Sequence, residues 1–179
     1  MMRYLLLLSL LLLTACQSNR LIELDYQPGY DFHALQSWQW AQPAVQFMPN
    51  AAALNSSLDA ERIRDAISEQ LTQQGLLQSK AAQFEVRAWL ITENQQQRTQ
   101  TIQNNYWGPI WGPGLRTETY DTTYTTQKLQ IDLLDASNQQ LIWRGSDSWV
   151  LPEQQTNPEL RAAKFRQRAQ QILQHFPPQ

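Results

Sequence analysis

Apolar positions change their spacing along this chain, and each change predicts an element. Leu21-Ile22-Glu23-Leu24-Asp25-Tyr26 alternates at period two and predicts a first strand, closed by the turn signal Gln27-Pro28-Gly29. Ser37-Trp38-Gln39-Trp40-Ala41 predicts a second strand with both tryptophans on one face. A buried sheet face explains that pair most simply, and stacking on a sugar or other ligand is the alternative. Ala41 to Asn55 contains Pro43 and Pro49 and reads as a loop.

Helical spacing follows. Ile63, Ile67 and Leu71 form a stripe flanked by Ala60 and Ala66, Ser56 with Asp59 has capping-box spacing, and Gly75 is placed to end the helix. Glu61, Arg62, Arg64, Asp65 and Glu69 read as a solvated face. From Phe84 the period returns to two, with Phe84, Val86, Ala88 and Leu90 alternating with Glu85, Arg87, Trp89 and Ile91, a strand covered on part of both faces. It runs into Thr- and Gln-rich sequence. Asn104 to Gly114 reads as a loop whose glycines and prolines oppose strand pairing, and Thr117 to Leu134 as a long strand with Leu129, Ile131 and Leu133 on one face.

A turn at Asp135 to Gln139 leads to a returning strand from Leu141 to Val150, so the consecutive strands predict an antiparallel meander. Asn157-Pro158-Glu159 supplies a cap, a first-position proline and an acidic first turn for a last helix. Its stripe is Ala162, Phe165, Ala169, Ile172 and Phe176, and Pro177-Pro178 ends it. Arg161, Lys164, Arg166 and Arg168 read as a cluster on the remaining surface, either solvated or facing anionic lipid headgroups. The expected fold class is α+β: a mostly antiparallel sheet, made of the N-terminal strands and a long three-strand meander, with two amphipathic helices packed on one face.

The start of the chain changes the picture. Arg3 precedes an apolar run from Leu5 to Leu13 interrupted by Ser9, and small residues Thr14 and Ala15 precede Cys16, the sole cysteine. The run is about ten residues, where a spanning helix needs roughly twenty, so it reads as a signal peptide. Leu13-Thr14-Ala15-Cys16 resembles the lipobox of bacterial lipoproteins. That resemblance implies cleavage before Cys16, diacylglycerol on its thiol and a further acyl chain on its amino group. In such proteins an aspartate after the cysteine commonly retains the chain in the inner membrane; Gln17 stands here, which implies the outer membrane. The alternative is an ordinary secretory signal in which Cys16 is incidental. The expected organisation is a leader over residues 1–15, lipidated Cys16 and a short tether over 16–20, and one domain over 21–179. Four extended residues reach only about 14 Å, so the tether holds the domain against the bilayer.

Composition excludes some partners and chemistries. The net charge is -2, so a phosphate backbone has little electrostatic hold and nucleic acid is not an expected partner. With Cys16 acylated, stability falls to core packing, for which seven tryptophans are available. His33 and His175 are the only histidines and lie in no metal-ligand spacing, so neither a metal site nor another cofactor is expected. Ser146 and Ser148 flank Asp147 without a GxSxG elbow. Asp132 with Asp135 offers a carboxylate pair for glycan hydrolysis, but at a hairpin turn where Asp is expected for turn chemistry. Tyr106, Trp107 and Trp111, set among Gly108, Pro109, Gly112, Pro113 and Gly114, form the one localised site candidate in the mature chain. They suit a partner or membrane contact, or they fold back to extend the core.

Asp25-Tyr26 with Asp31-Phe32, Trp38-Gln39-Trp40, Ile131-Asp132-Leu133 with Asp135, Trp143-Arg144-Gly145 and His175-Phe176-Pro177-Pro178 are similar to the motifs of the DUF4136 family of bacterial envelope lipoproteins, over about residues 21 to 177. The resemblance implies a fold and an address and brings no active-site residues. The function expected is a noncatalytic, lipid-anchored binding or scaffolding module on the periplasmic face of the outer membrane, with an envelope protein as partner. An enzyme acting on wall glycan, or an amphiphile carrier with a pocket between sheet and helices, are the alternatives.

Overall fold

The computed structural model describes residues 22–49, 56–106, 113–151 and 157–178, with backbone alone at 101–106 and 113–118. In chain order these form β1 (Glu23–Tyr26), a 3-10 turn (Phe32–Ala34), β2 (Ser37–Met48), α1 (Ser57–Gln73), β3 (Leu77–Gln78), β4 (Phe84–Tyr106), β5 (Pro113–Asp135), β6 (Leu141–Val150) and α2 (Pro158–Leu173). One six-stranded sheet has the order β1-β6-β5-β4-β2-β3. The predicted meander is there: β4, β5 and β6 pair antiparallel, and β1 joins antiparallel to β6.

The other edge corrects the expectation of a mostly antiparallel sheet. β2 runs parallel to β4, with Trp38 opposite Phe84, and β3 runs parallel to β2. The sheet is mixed because α1 carries the chain back between β2 and β4, the crossover that parallel neighbours require. A second correction concerns Ala41 to Asn55: β2 continues to Met48. Pairing breaks between Trp40, opposite Val86, and Val45, opposite Ala88. Pro43, which cannot donate to a ladder, lies in that bulge behind a cis peptide bond.

Register assigns the faces. Trp38, Trp40, Phe84, Val86, Ala88, Leu129, Ile131, Leu133 and Trp143 fall on one face, and both helices cover it. From α1 come Ile63, Ile67 and Leu71, and from α2 come Phe165, Ala169, Ile172 and Leu173, all buried. Each large aliphatic side chain so buried contributes roughly 2 kcal/mol. Ser56 Oγ accepts from the Asp59 amide at 3.3 Å, and Asn157 Oδ1 accepts from the Leu160 amide at 2.8 Å, so both predicted caps form. At the end of α1, Gly75 has φ +85, and bonds from Leu76 N to Leu71 O and from Gly75 N to Thr72 O complete a Schellman closure.

β4 and β5 stay in register from Phe84 opposite Asp135 to Tyr106 opposite Pro113. β2 leaves β4 after Ile91, and β6 leaves β5 after Thr126. Past those points the described residues form a two-stranded arm, about 50 Å long at roughly 3.4 Å per residue. Over residues 92–100 and 119–125 it is rich in Gln and Thr, with exposed cross-strand links such as Arg98 Nε to Asp121 Oδ1 at 2.9 Å and Thr125 Oγ1 to Asn94 Oδ1 at 2.9 Å. The arm corrects the predicted loop over Asn104 to Gly114: Asn104, Asn105 and Tyr106 pair with Leu115, Gly114 and Pro113. Backbone bonds extend the ladder where no apolar alternation marks it, and Pro113 is tolerated at the first position of its strand.

Candidate functional site

The sequence-predicted site residues fall at or beyond the edge of what the structure describes. Cys16, Trp107 and Trp111 lie outside the described residues. Tyr106 closes the paired part of the arm, where its backbone faces Pro113, and its side chain is outside the description.

The motif residues have other work. Phe176 meets Trp143, Phe84 and Phe32 at ring-centroid distances of 5.6, 6.0 and 6.0 Å, so the motifs that follow α2, lie in β6 and open the 3-10 turn converge with Phe84 of β4 on one aromatic cluster. Trp38 and Trp40 meet edge-on at 5.4 Å, and Trp38 is fully buried, which assigns the pair to the core rather than to ligand stacking. On the opposite face of the sheet, Arg144 binds Asp132 with two bonds, Nε to Oδ1 at 2.6 Å and Nη2 to Oδ2 at 2.8 Å. Trp89 Nε1 donates to Asp132 Oδ2 at 3.1 Å. This cross-strand clamp is the reason Asp132 is buried on a face without a helix.

The hydrolase candidates are committed elsewhere. Asp135 Oδ2 accepts from the Tyr30 hydroxyl at 2.8 Å and Oδ1 from the Ser137 amide at 2.8 Å. The Ser137 hydroxyl, with Tyr30 and backbone donors adding to it, holds the Asp135 carboxyl below its ordinary range. A general acid needs the opposite shift. Ser146 Oγ donates to Glu23 at 3.0 Å on one face of β6, while Asp147 points to the other and pairs with Arg168. Arg168 is 3% exposed, which corrects its assignment to a surface cluster: it reaches inward over Trp149, 5.2 Å from the ring centroid. No group of three potential metal ligands gathers among the described residues. The space between sheet and helices is filled by core side chains, so the described residues offer no open apolar cavity for an amphiphile there.

The most chemically organised surface feature is a cleft at the root of the arm, which sequence reasoning missed. Asp59, 1% exposed at the start of α1, accepts from Arg62 Nη1 at 2.7 Å and from Arg161 Nε at 2.8 Å, the latter from the first turn of α2. Thr92, Asn94, Thr125 and Gln127 line its other wall. An aspartate in a capping position gave the only sequence signal, and nothing at that level pairs it with a residue a hundred positions away. Two guanidiniums on one carboxylate fix the helix starts together and leave one net positive charge.

Among the described residues no helix is long and apolar enough to cross a membrane. None of the curated proteins matches the chain. Among solved structures, a PDZ domain protein from Parabacteroides distasonis is similar with a TM-score of 0.56 at 12% identity, over 89% of this chain and 36% of that one. This chain thus spans about a third of that protein, and the likeness is one of fold. A DUF4136 family protein from Bacteroides thetaiotaomicron gives 0.49 at 15% identity, over 84% and 94% of the two chains. A PelC dodecamer from Paraburkholderia phytofirmans gives 0.46 at 9%, over 86% and 94%. The model of a domain of unknown function, DUF4136, matches residues 22–178, and the chain belongs to that family.

Proposed function

We propose that this protein is a lipid-anchored, noncatalytic binding or scaffolding module of the bacterial envelope, held at the periplasmic face of the outer membrane and reaching a partner through its arm. The observation that carries the reading is the leader ending in Leu13-Thr14-Ala15-Cys16, only a few residues ahead of β1. Acyl chains contribute about 0.8 kcal/mol per buried methylene, and two of them anchor stably. The noncatalytic part is supported by the carboxylates: Asp59, Asp132 and Asp147 each pair with arginine, and Asp135 accepts from Tyr30 and Ser137. The contact role is supported by the two-stranded arm, whose last described pair is Tyr106 with Pro113, and by the sequence, which sets Trp107 and Trp111 between those two positions.

Labelled fatty acid tests the anchor. Label should enter the wild type and be lost in Cys16→Ser; equal label in both overturns it. Trp107→Ala combined with Trp111→Ala tests the tip. The melting temperature should hold while a protein crosslinked in intact cells, identified by mass spectrometry, disappears. A large loss of stability with crosslinking intact would return the tryptophans to the core.

A further inference from the structure

We propose that the cleft at the root of the arm, where both helices begin, binds an acidic sugar: a ring bearing hydroxyls and one carboxylate or phosphate. The proposal stands apart from the anchor at Cys16 and from the partner of the arm, because every group it uses belongs to the cleft.

The acid would meet the two arginines. Asp59 takes Nη1 of Arg62 and Nε and Nη2 of Arg161. A guanidinium carries five N–H donors, so Nε and Nη2 of Arg62 and Nη1 of Arg161 are left without a partner among the described residues. Both side chains line the cleft and are partly sheltered, 21% and 37% exposed, where a charge-assisted bond to an oxyanion is strong. The first turns of two helices add their N–H dipoles to the spare positive charge. Acidic neighbours do not cancel it: Glu93 points to the other face of β4, where Gln95 binds it, and Glu159 does not line the cleft.

The hydroxyls would meet the opposite wall. Thr92 and Asn94 prolong the face of Ala88 and Leu90, and Gln127 and Thr125 that of Leu129, past the points where the helices start. Thr125 Oγ1 donates to Asn94 Oδ1, which leaves Asn94 Nδ2 as a free donor. Gln127 is only 8% exposed, its Nε2 lies 3.4 Å from Thr92 Oγ1, and its Oε1 has no partner among the described residues. A free donor and a buried free acceptor on one wall suit a hydroxyl, which both accepts and donates, and pairing the acceptor removes its desolvation penalty. Pro49 and Leu151 offer apolar contact to the C–H groups of a ring. The cleft holds about 480 Å³, within the roughly 300–1,000 Å³ of small-molecule sites.

The test titrates glucuronate, glucose 6-phosphate, glucose and inorganic phosphate into the full-length protein in detergent micelles, followed by NMR. Either acidic sugar should move the Nε–H signals of Arg62 and Arg161 and the side-chain amide signals of Gln127. It should bind at least about tenfold tighter than glucose, and less tightly as salt rises. The tighter of the two acids distinguishes carboxylate from phosphate. Arg62→Gln removes the spare charge while Arg161 stays on Asp59, so affinity for the acidic sugars should fall about tenfold at an unchanged melting temperature. Should that variant melt early, Asn94→Ala, at an exposed position, replaces it: both acidic sugars should weaken several-fold while inorganic phosphate does not. Glucose binding as tightly as the acids would overturn the role of the arginines, and inorganic phosphate binding as tightly as glucose 6-phosphate would overturn the sugar. Signals of Arg62, Arg161 and Gln127 that stay still throughout would overturn the site.

Discussion

A methyl group built on Gly145 would sit 2.6 Å from Cγ2 of Ile172. It would also lie 2.5 Å from Cη2 of Trp143, so β6 passes under the tryptophan ring and the last helix with no room for a side chain. Trp143-Arg144-Gly145 is thereby explained position by position: the ring packs, the guanidinium clamps Asp132 on the other face, and the glycine admits α2.

Gly145→Ala should destabilise by about 2 kcal/mol, since overpacking forces side chains or backbone to shift. The melting temperature should drop by roughly 4–8 °C. Adding Ile172→Ala should cost less than the sum of the two single changes, because the clash is shared. Strict additivity in thermal melts would show that the helix does not press on this glycine.

Arg168→Met should cost about 3–5 kcal/mol by leaving Asp147 charged and alone in the core. Asp147 and Arg168 are 2% and 3% exposed, so water offers the remaining partner little relief. Asp147→Leu made together with Arg168→Met should recover much of the loss. Denaturant midpoints of the two variants decide it, and an Arg168→Met protein as stable as the wild type would remove the pair from the core's energetics.

The Tyr30 phenol should titrate at about 12, pushed up first by burial and then by its bond to Asp135. A raised folded value means that its contribution to stability is complete below the ordinary phenol range and is lost as pH rises through about 12. Asp135 has the opposite sign: its lowered folded value gives stability above the ordinary carboxylate range, lost as pH falls through the folded value. The difference in phenolate absorbance between wild type and Tyr30→Phe measures the first directly. A difference curve with its midpoint near 10 would show that the phenol is not held.

Excising residues 96–123 and joining Gln95 to Tyr124, opposite each other in the ladder, through Asn-Gly should leave the melting temperature within a few degrees of the wild type. Past Ile91 and Thr126 no third strand accompanies the arm among the described residues. Exposed links such as Arg98 with Asp121 contribute at most about 1 kcal/mol. A large loss of stability would mean that the arm folds with the body rather than apart from it.

Both helices were legible because their stripes and caps are local signals. Ile63, Ile67 and Leu71 behind Ser56, and Phe165, Ala169 and Ile172 behind Asn157-Pro158, predict the same elements that the fold contains. The meander was legible for the same reason. Strand direction was not: alternation at Trp38 and Trp40 reveals a face but not whether Phe84 pairs parallel or antiparallel. Pro43 concealed the continuation of β2, because a bulge that excuses a proline from the ladder resembles a loop in sequence. Asp59 and Arg168 were read by residue type, and the partners that bury them, Arg161 and Asp147, lie far away along the chain.

The arm grows from the two central strands of the sheet, β4 and β5, rather than from an edge. Ladder hydrogen bonds run across the strands, so a pull along the arm loads many of them sideways at once instead of parting them one at a time. β2 grips β4 on one flank and β6 grips β5 on the other, and both helices bear on the same strands' buried residues. The sheet is therefore a mechanical socket: force arriving at the tip is spread over the whole body before any single bond must yield.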